Sequence, residues 1–178
     1  MKIGRIRFNI YLLLGLALVL ACGCQTRGDD KDKVMATLRV HLEVAPESMD
    51  FSTSVPVYRE HPVMVTVDKS PFLTEANVES AKVVDVRGGF DLEIKFDRRG
   101  TWLLEEYTTT NPGKHLAVFS EFGVKKSRTS RWLAAPIIYR RISNGILSFT
   151  PDASREESER IALGLNNVAK KINEASKW

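Results

Sequence analysis

"GILSFTPDASREESERIALGLNN", residues 145–167, changes its period partway along. Gly145 to Thr150 read as a strand, and the residues beyond them read as a helix. Thr150 is placed to accept hydrogen bonds from the first free amides, and Pro151 suits the first helical position. Asp152, Glu156 and Glu157 lie near the positive end of the helix dipole, with Lys170 and Lys171 toward the other end. Ile161, Leu165, Val168 and Ile172 recur at spacings of four, three and four and form one apolar stripe. Each contributes roughly 1.5–3 kcal/mol if buried. Such a stripe can cover a sheet face, and with the order of strands and helices upstream it gives the expectation of an α+β layer structure, a mostly antiparallel sheet covered by helices.

The segments upstream supply the strands. "ATLRVHLEVA" (36–45) alternates, with Ala36, Leu38, Val40, Leu42 and Val44 facing one way. Thr37, Arg39, His41 and Glu43 face the other way, which makes His41 a solvated residue. "PESMDFSTSVPVYREH" (46–61) reads as a loop, followed by a strand through Val63, Val65 and Val67. A helical turn is signalled at Thr74. The chain then extends through Val83, Val84 and Val86, turns at Gly88-Gly89, and returns with Phe90, Leu92, Ile94 and Phe96 on one face. Thr101 is the expected cap of a helix carrying Leu103, Leu104 and Tyr107, stopped by Asn111-Pro112-Gly113. Trp102, Leu103 and Leu104 are expected in the core. "KHLAVFSEF" (114–122) is a strand and "GVKKSRTSR" (123–131) a basic loop. "WLAAPIIYRRIS" and "GILSFT" are two more strands, turned by Asn144-Gly145.

The N-terminus has a different character. Lys2, Arg5 and Arg7 precede the apolar run "FNIYLLLGLALVLA" (8–21), which is short for a membrane span and ends in small residues. Residues 1–21 therefore read as a secretory signal. Val19, Leu20 and Ala21 before Cys22 resemble the lipobox of bacterial lipoproteins, which predicts lipidation at Cys22 and a bilayer as the first partner. Gly23 at the next position points to the outer rather than the inner membrane. Residues 22–33 read as a charged, flexible tether in which Cys24 is a bystander and Arg27-Gly28-Asp29 a coincidence. Residues 34–178 are the single domain. The leader holds three of the 26 Lys+Arg residues and none of the 22 acids, so its removal leaves 23 against 22. The sequence pI of about 9.1 thus describes mostly the leader and gives no reason to expect a nucleic-acid partner.

An ordered set of segments carries a resemblance. A strand ends at Asp97 and a helix comes next; then come "NPGKHLAVFSEFG", "WLAAPII" and the quoted "FTPDA" helix start. This order resembles the head subdomain of the first periplasmic domain of SecD, a protein-export factor, over about Phe72 to Lys171. The resemblance implies that fold and a surface for binding protein or peptide. The proton-driven motor of that family does not come with it, because proton paths need ionisable groups inside membrane spans.

The residues themselves indicate no enzyme. His41, His61 and His115 are far apart and lack ligand spacing, so neither a metal nor another cofactor is expected. Cys24 has no neighbour in sequence to activate it. Glu105 and Glu106 point about 100° apart around a helix and read as a wet face. The one cluster suited to a partner or a membrane surface is Lys125, Lys126, Arg128 and Arg131 beside Trp132, with Arg140 and Arg141 as its extension if packing brings them near. Set against it is an ordinary solvated loop with Trp132 tucked into the core. Two binding roles stay open: a module linked to protein export, or an envelope assembly protein with one fixed partner. An exposed sheet edge would suit an extended peptide.

Overall fold

The structure, a computed structural model, describes residues 34–45, 51–124 and 127–175. The leader, Cys22, Cys24 and the tether lie outside these residues, as do Lys125 and Lys126. The strands are β1 (Met35–Ala36), β2 (Arg39–Leu42), β3 (Ser52–Val57), β4 (Val63–Asp68), β5 (Leu73–Thr74), β6 (Val78–Val86), β7 (Gly89–Phe96), β8 (Leu116–Val124), β9 (Ser127–Ala134) and β10 (Ile146–Phe149). The helices are α1 (Arg98–Thr110) and α2 (Arg155–Ala175). Every pairing between these strands is antiparallel.

β6 and β7 form a hairpin whose turn places Gly88 at φ +92°, a conformation that glycine adopts without a Cβ clash. β10 pairs with the other edge of β7, opposing Leu147 to Ile94 and Phe149 to Leu92. These four side chains are buried, while Asp91, Glu93 and Lys95 alternate outward.

The larger sheet is built on β8. β1 and β2 lie along one side of it in a common register, Ala36 opposite Phe122 and Arg39 opposite Phe119. β5 flanks β2, and β9 lies on the other side of β8. The expected strand 36–45 is therefore broken at Thr37–Leu38. Thr37 is held there by its own N–H donating to the Glu121 carbonyl (2.8 Å), by Glu121 N–H donating to its hydroxyl (3.0 Å), and by Ser120 Oγ donating to its carbonyl (2.8 Å).

The helices begin where side chains satisfy free amides, and neither begins where the sequence pattern placed it. Asp97, not Thr101, caps α1, accepting the Gly100 N–H at 2.6 Å. α2 starts four residues after Pro151. Ser154 Oγ accepts the Glu157 N–H (3.1 Å) and the Glu157 carboxylate accepts the Ser154 N–H (2.9 Å), a reciprocal capping box. Thr150 instead donates to Asp91 Oδ1 at 2.7 Å. Of the expected stripe, Ile161 and Leu165 are fully buried, Val168 is half-buried and Ile172 is exposed. Ala162 and Ala169 complete the buried face.

α2 lies against β6 and β1. A Cβ at Gly164 would come within 2.6 Å of the Ala36 amide nitrogen, so only glycine allows so close an approach. Asn166 closes the free edge of β6: its Oδ1 accepts the Ala81 N–H (2.8 Å) and its Nδ2 donates to the Ala81 carbonyl (2.9 Å). The main core gathers Leu38, Val40, Phe96, Leu104, Leu116 and Leu165 among others.

A second core lies apart from it. Within the expected loop 46–61, residues 52–57 form β3, which pairs with β4 from Ser52–Asp68 to Val57–Val63. Val55, Val57, Val65 and Val67 of this hairpin pack on Ala117 and Ala135, with Trp132 against them. That packing buries His41, expected in solvent, to 7% exposure. Trp102 departs the opposite way: expected in the core, it stands 60% exposed on α1.

Candidate functional site

The expected basic loop is two strands. β8 runs to Val124 and β9 starts at Ser127, so Arg128, Arg131 and Trp132 sit on an edge strand, with alternate faces. Of the five residues singled out there, the structure describes these three.

Arg128 is at the outer end. Its Nη1 donates to Glu121 Oε1 across the hairpin at 2.9 Å, and its side chain is 43% exposed. Arg131 is turned inward. Its two terminal nitrogens donate to the two oxygens of Glu157 at 3.0 and 3.1 Å, a bidentate pair, and Nη1 also donates to the Asp152 carbonyl at 3.0 Å. The guanidinium lies 5.8 Å from the Phe122 ring centroid. Arg131 thus ties β9 to the first turn of α2, and its hydrogen bonds to Glu157 are the leading cause that holds that carboxyl down at about 2. The same corner receives the β3–β4 hairpin: Arg59 Nε donates to Asp152 Oδ2 at 3.1 Å and Arg59 N–H to the same oxygen at 2.9 Å.

Trp132 is half-buried and backs the edge strand from inside. Its ring meets His41 edge-on at 5.3 Å and Phe119 at 5.2 Å between centroids. His41 Nδ1 donates to the Asp68 carbonyl at 2.7 Å. Burial pushes its imidazole below the usual histidine range, and that hydrogen bond opposes the shift. His115 is paired as well: its ring Nδ1 is 2.7 Å from Glu43 Oε2, and its N–H donates to the same oxygen at 2.8 Å. Neither pairing carries a signal in the sequence, because the partners are 27 and 72 residues away. Among the described residues, no three or more His, Cys, Asp or Glu side chains group as metal ligands.

Among the strand edges that no other described strand covers are those of β9 and β10. Among the described residues no strand pairs with the outer side of β9, and Ser127 to Ser130 are all exposed. The edge closes only at Leu133, whose carbonyl accepts the Asp152 N–H at 2.7 Å. β10 is the other of the two. Beside it lies a cleft of about 470 Å3, walled by Leu116, Ile138, Ile142 and Leu147. Phe96 N–H donates to the Gly145 carbonyl, so alternation turns the backbone groups of Ile146 and Ser148 outward. Asn144 Oδ1 already accepts the Ile146 N–H, at 3.1 Å. Of these two, the longer edge available to an extended chain is that of β9.

Among the described residues no helix is long and apolar enough to cross a membrane. The family described as "SecDF, P1 head subdomain" matches residues 52–169. The fold is similar to that of SecDF, described as a membrane component that enhances protein export, at 23% identity and a TM-score of 0.52, covering 76% of this chain and 64% of that one. It is also similar to SecDF in a super-membrane-facing form, at 21% identity and a TM-score of 0.51, covering 78% of this chain and 19% of that one. No protein of curated function matches.

Proposed function

The chain belongs to the SecDF P1 head subdomain family, and on that premise we propose that it is a lipid-held protein of the bacterial envelope whose head-like domain binds extended segments of other proteins. In this reading residues 1–21 are a signal removed on export, Cys22 carries the acyl chains, residues 22–33 are the tether, and residues 34–178 are the working module on the periplasmic side. The acyl chains favour the outer membrane by the Gly23 rule. The activity is binding, in the service of protein export, without catalysis or cofactor.

The observation that carries the reading is the outer edge of β9. Along four consecutive exposed residues there, every second one turns outward a backbone donor and acceptor that no strand among the described residues takes up. An extended segment that adds to such an edge gains main-chain hydrogen bonds whatever its sequence, which suits a binder of many clients. The charged Arg128 side chain on this strand discourages the edge from pairing with copies of itself. Arg131 and Trp132 support the strand from behind, one through Glu157 and one through the second core.

A photo-reactive residue in place of Thr129, in intact cells, tests the reading. A ladder of many secreted chains is the expected product. One sharp product would select the alternative, an assembly protein with a single fixed partner, and no product would remove the edge from consideration. Mass spectrometry of the purified N-terminus tests the anchor separately: the expected result is an acylated Cys22 as first residue.

A further inference from the structure

The exposed face of α1 combines two departures from common patterns. Its first turn holds no acid and carries Arg98 and Arg99, whose charges oppose the positive end of the helix dipole. α2, by contrast, has Glu156 and Glu157 in that place. One turn further, Trp102 is 60% exposed. Local choices that cost stability without a visible gain within the domain point to a use outside it.

Trp102 joins two concavities of the patch, and three of its four arginines are unspent. Arg98, Arg99 and Trp102 line one shallow concavity, and Trp102 and Arg141 line the next. Arg141 pairs with Glu105, joining α1 to the segment in which Tyr139 is 85% exposed. Among the described residues, Arg98, Arg99 and Arg140 make no ion pair, and Asp97 is committed to capping the helix. Glu106 is the only unpaired acid on this face of α1 among the described residues. An indole and a phenol at the surface, flanked by arginines without partners, are the side chains that settle at the headgroup level of a bilayer, with guanidinium on phosphate.

We infer that the Arg98–Arg99–Trp102 face of α1, together with Tyr139 and Arg140, rests on anionic phospholipid headgroups. The choice of a bilayer over a protein rests on the lipid anchor proposed above. The 11 residues between Cys22 and Val34 reach at most about 40 Å when fully extended, so an anchored domain stays beside the headgroups. α1 lies along the surface and does not insert, since its opposite face holds Leu104 in the core.

The full-length protein, reconstituted in vesicles of phosphatidylglycerol and phosphatidylcholine with brominated acyl chains, provides the test. Flotation with the vesicles reports the anchor, and bromine quenching of tryptophan fluorescence reports the contact. The expected result is partial quenching that W102F removes and that pure phosphatidylcholine vesicles do not produce. R98Q/R99Q lowers the docked fraction by about fivefold per arginine, at about 0.1 M salt, the factor given by the usual attraction of one basic residue to an anionic surface. Quenching that persists in W102F, or flotation without any quenching, overturns the inference and leaves the anchor standing. Flotation retained in C22S, with Trp102 still quenched, would sink the anchor and keep the contact. If W102F instead abolishes capture of a protein while quenching is absent from the start, the face belongs to a protein partner and the bilayer assignment is wrong.

Discussion

Replacing Glu157 with Gln removes the carboxylate that Arg131 holds in a bidentate grip, and the consequence should depend on pH. The Arg131 side chain is 13% exposed and that of Glu157 27%, so the pair is partly shielded from water. Arg131 holds the folded-state carboxyl down at about 2, from 4.5 in the unfolded chain. A depressed carboxyl stabilises the fold above its unfolded value, and that stability fades as pH falls through the folded value. The window is thus about pH 5 down to about pH 2. The full gap corresponds to about 3 kcal/mol, of which about 2 kcal/mol is lost between pH 7 and pH 3. Solvent reaching the pair reduces this to about 1 kcal/mol. Urea unfolding of both proteins at pH 7 and pH 3 measures it. Glu43 and Asp85 are also held low in the native state, but they are present in both proteins and cancel in the comparison. The wild type should lose about 1 kcal/mol more than E157Q on acidification. Equal losses would falsify the assignment of Arg131 as the group that holds β9 to α2.

Three further substitutions probe α2. Ser158 is fully buried and its hydroxyl finds no partner among the described residues, so S158A should raise stability by up to about 1 kcal/mol in urea titrations. G164A should gain about 1 kcal/mol in helix propensity and lose more than that, because its Cβ would meet the backbone of Met35 and Ala36 at under 3 Å. A thermal midpoint at or above that of the wild type would show that β1 can shift to make room. N166A leaves the N–H and C=O of Ala81 unpaired on the edge of β6 and should cost about 1–3 kcal/mol, with faster amide exchange at Ala81 as the local signature.

Elements that bury one face can be read from period alone. β7, with Leu92, Ile94 and Phe96 buried, and α2, with Ile161 and Leu165 buried, lie where the pattern puts them. The antiparallel α+β architecture comes from such elements, and the resemblance drawn from "NPGKHLAVFSEFG" and "FTPDA" matches the family found over 52–169. What stays hidden depends on tertiary cover. β3 is unreadable because Ser52, Thr53, Ser54 and Pro56 look like loop, and only the packing of Val55 and Val57 makes that segment a strand. His41 looks solvated for the same reason, since nothing local signals the hairpin that buries it. The run "GVKKSRTSR" is polar enough for a loop, and it is a hairpin because edge strands tolerate charge on both faces. Helix starts are displaced because a cap is defined by backbone geometry: Asp97 and Ser154 reach free amides that Thr101 and Thr150 do not. The basic run is legible in the sequence, while the division of labour between Arg128 and Arg131 is not. It depends on Glu121 lying across the hairpin and Glu157 on a helix 26 residues on.

The two-residue β1 gives the fold a mechanical order of failure. Traction entering from the residues before Val34 meets first the Asn167 amide on the Val34 carbonyl and the short pairing of Met35 and Ala36 with β8. Next in line is Thr37, fastened by its backbone and hydroxyl to Ser120 and Glu121. A moderate pull would therefore peel β1 from Gly164 and bare the β8 edge at Phe122 and Gly123 while Thr37 held the rest, so the first strand works as a fuse that yields before the domain does.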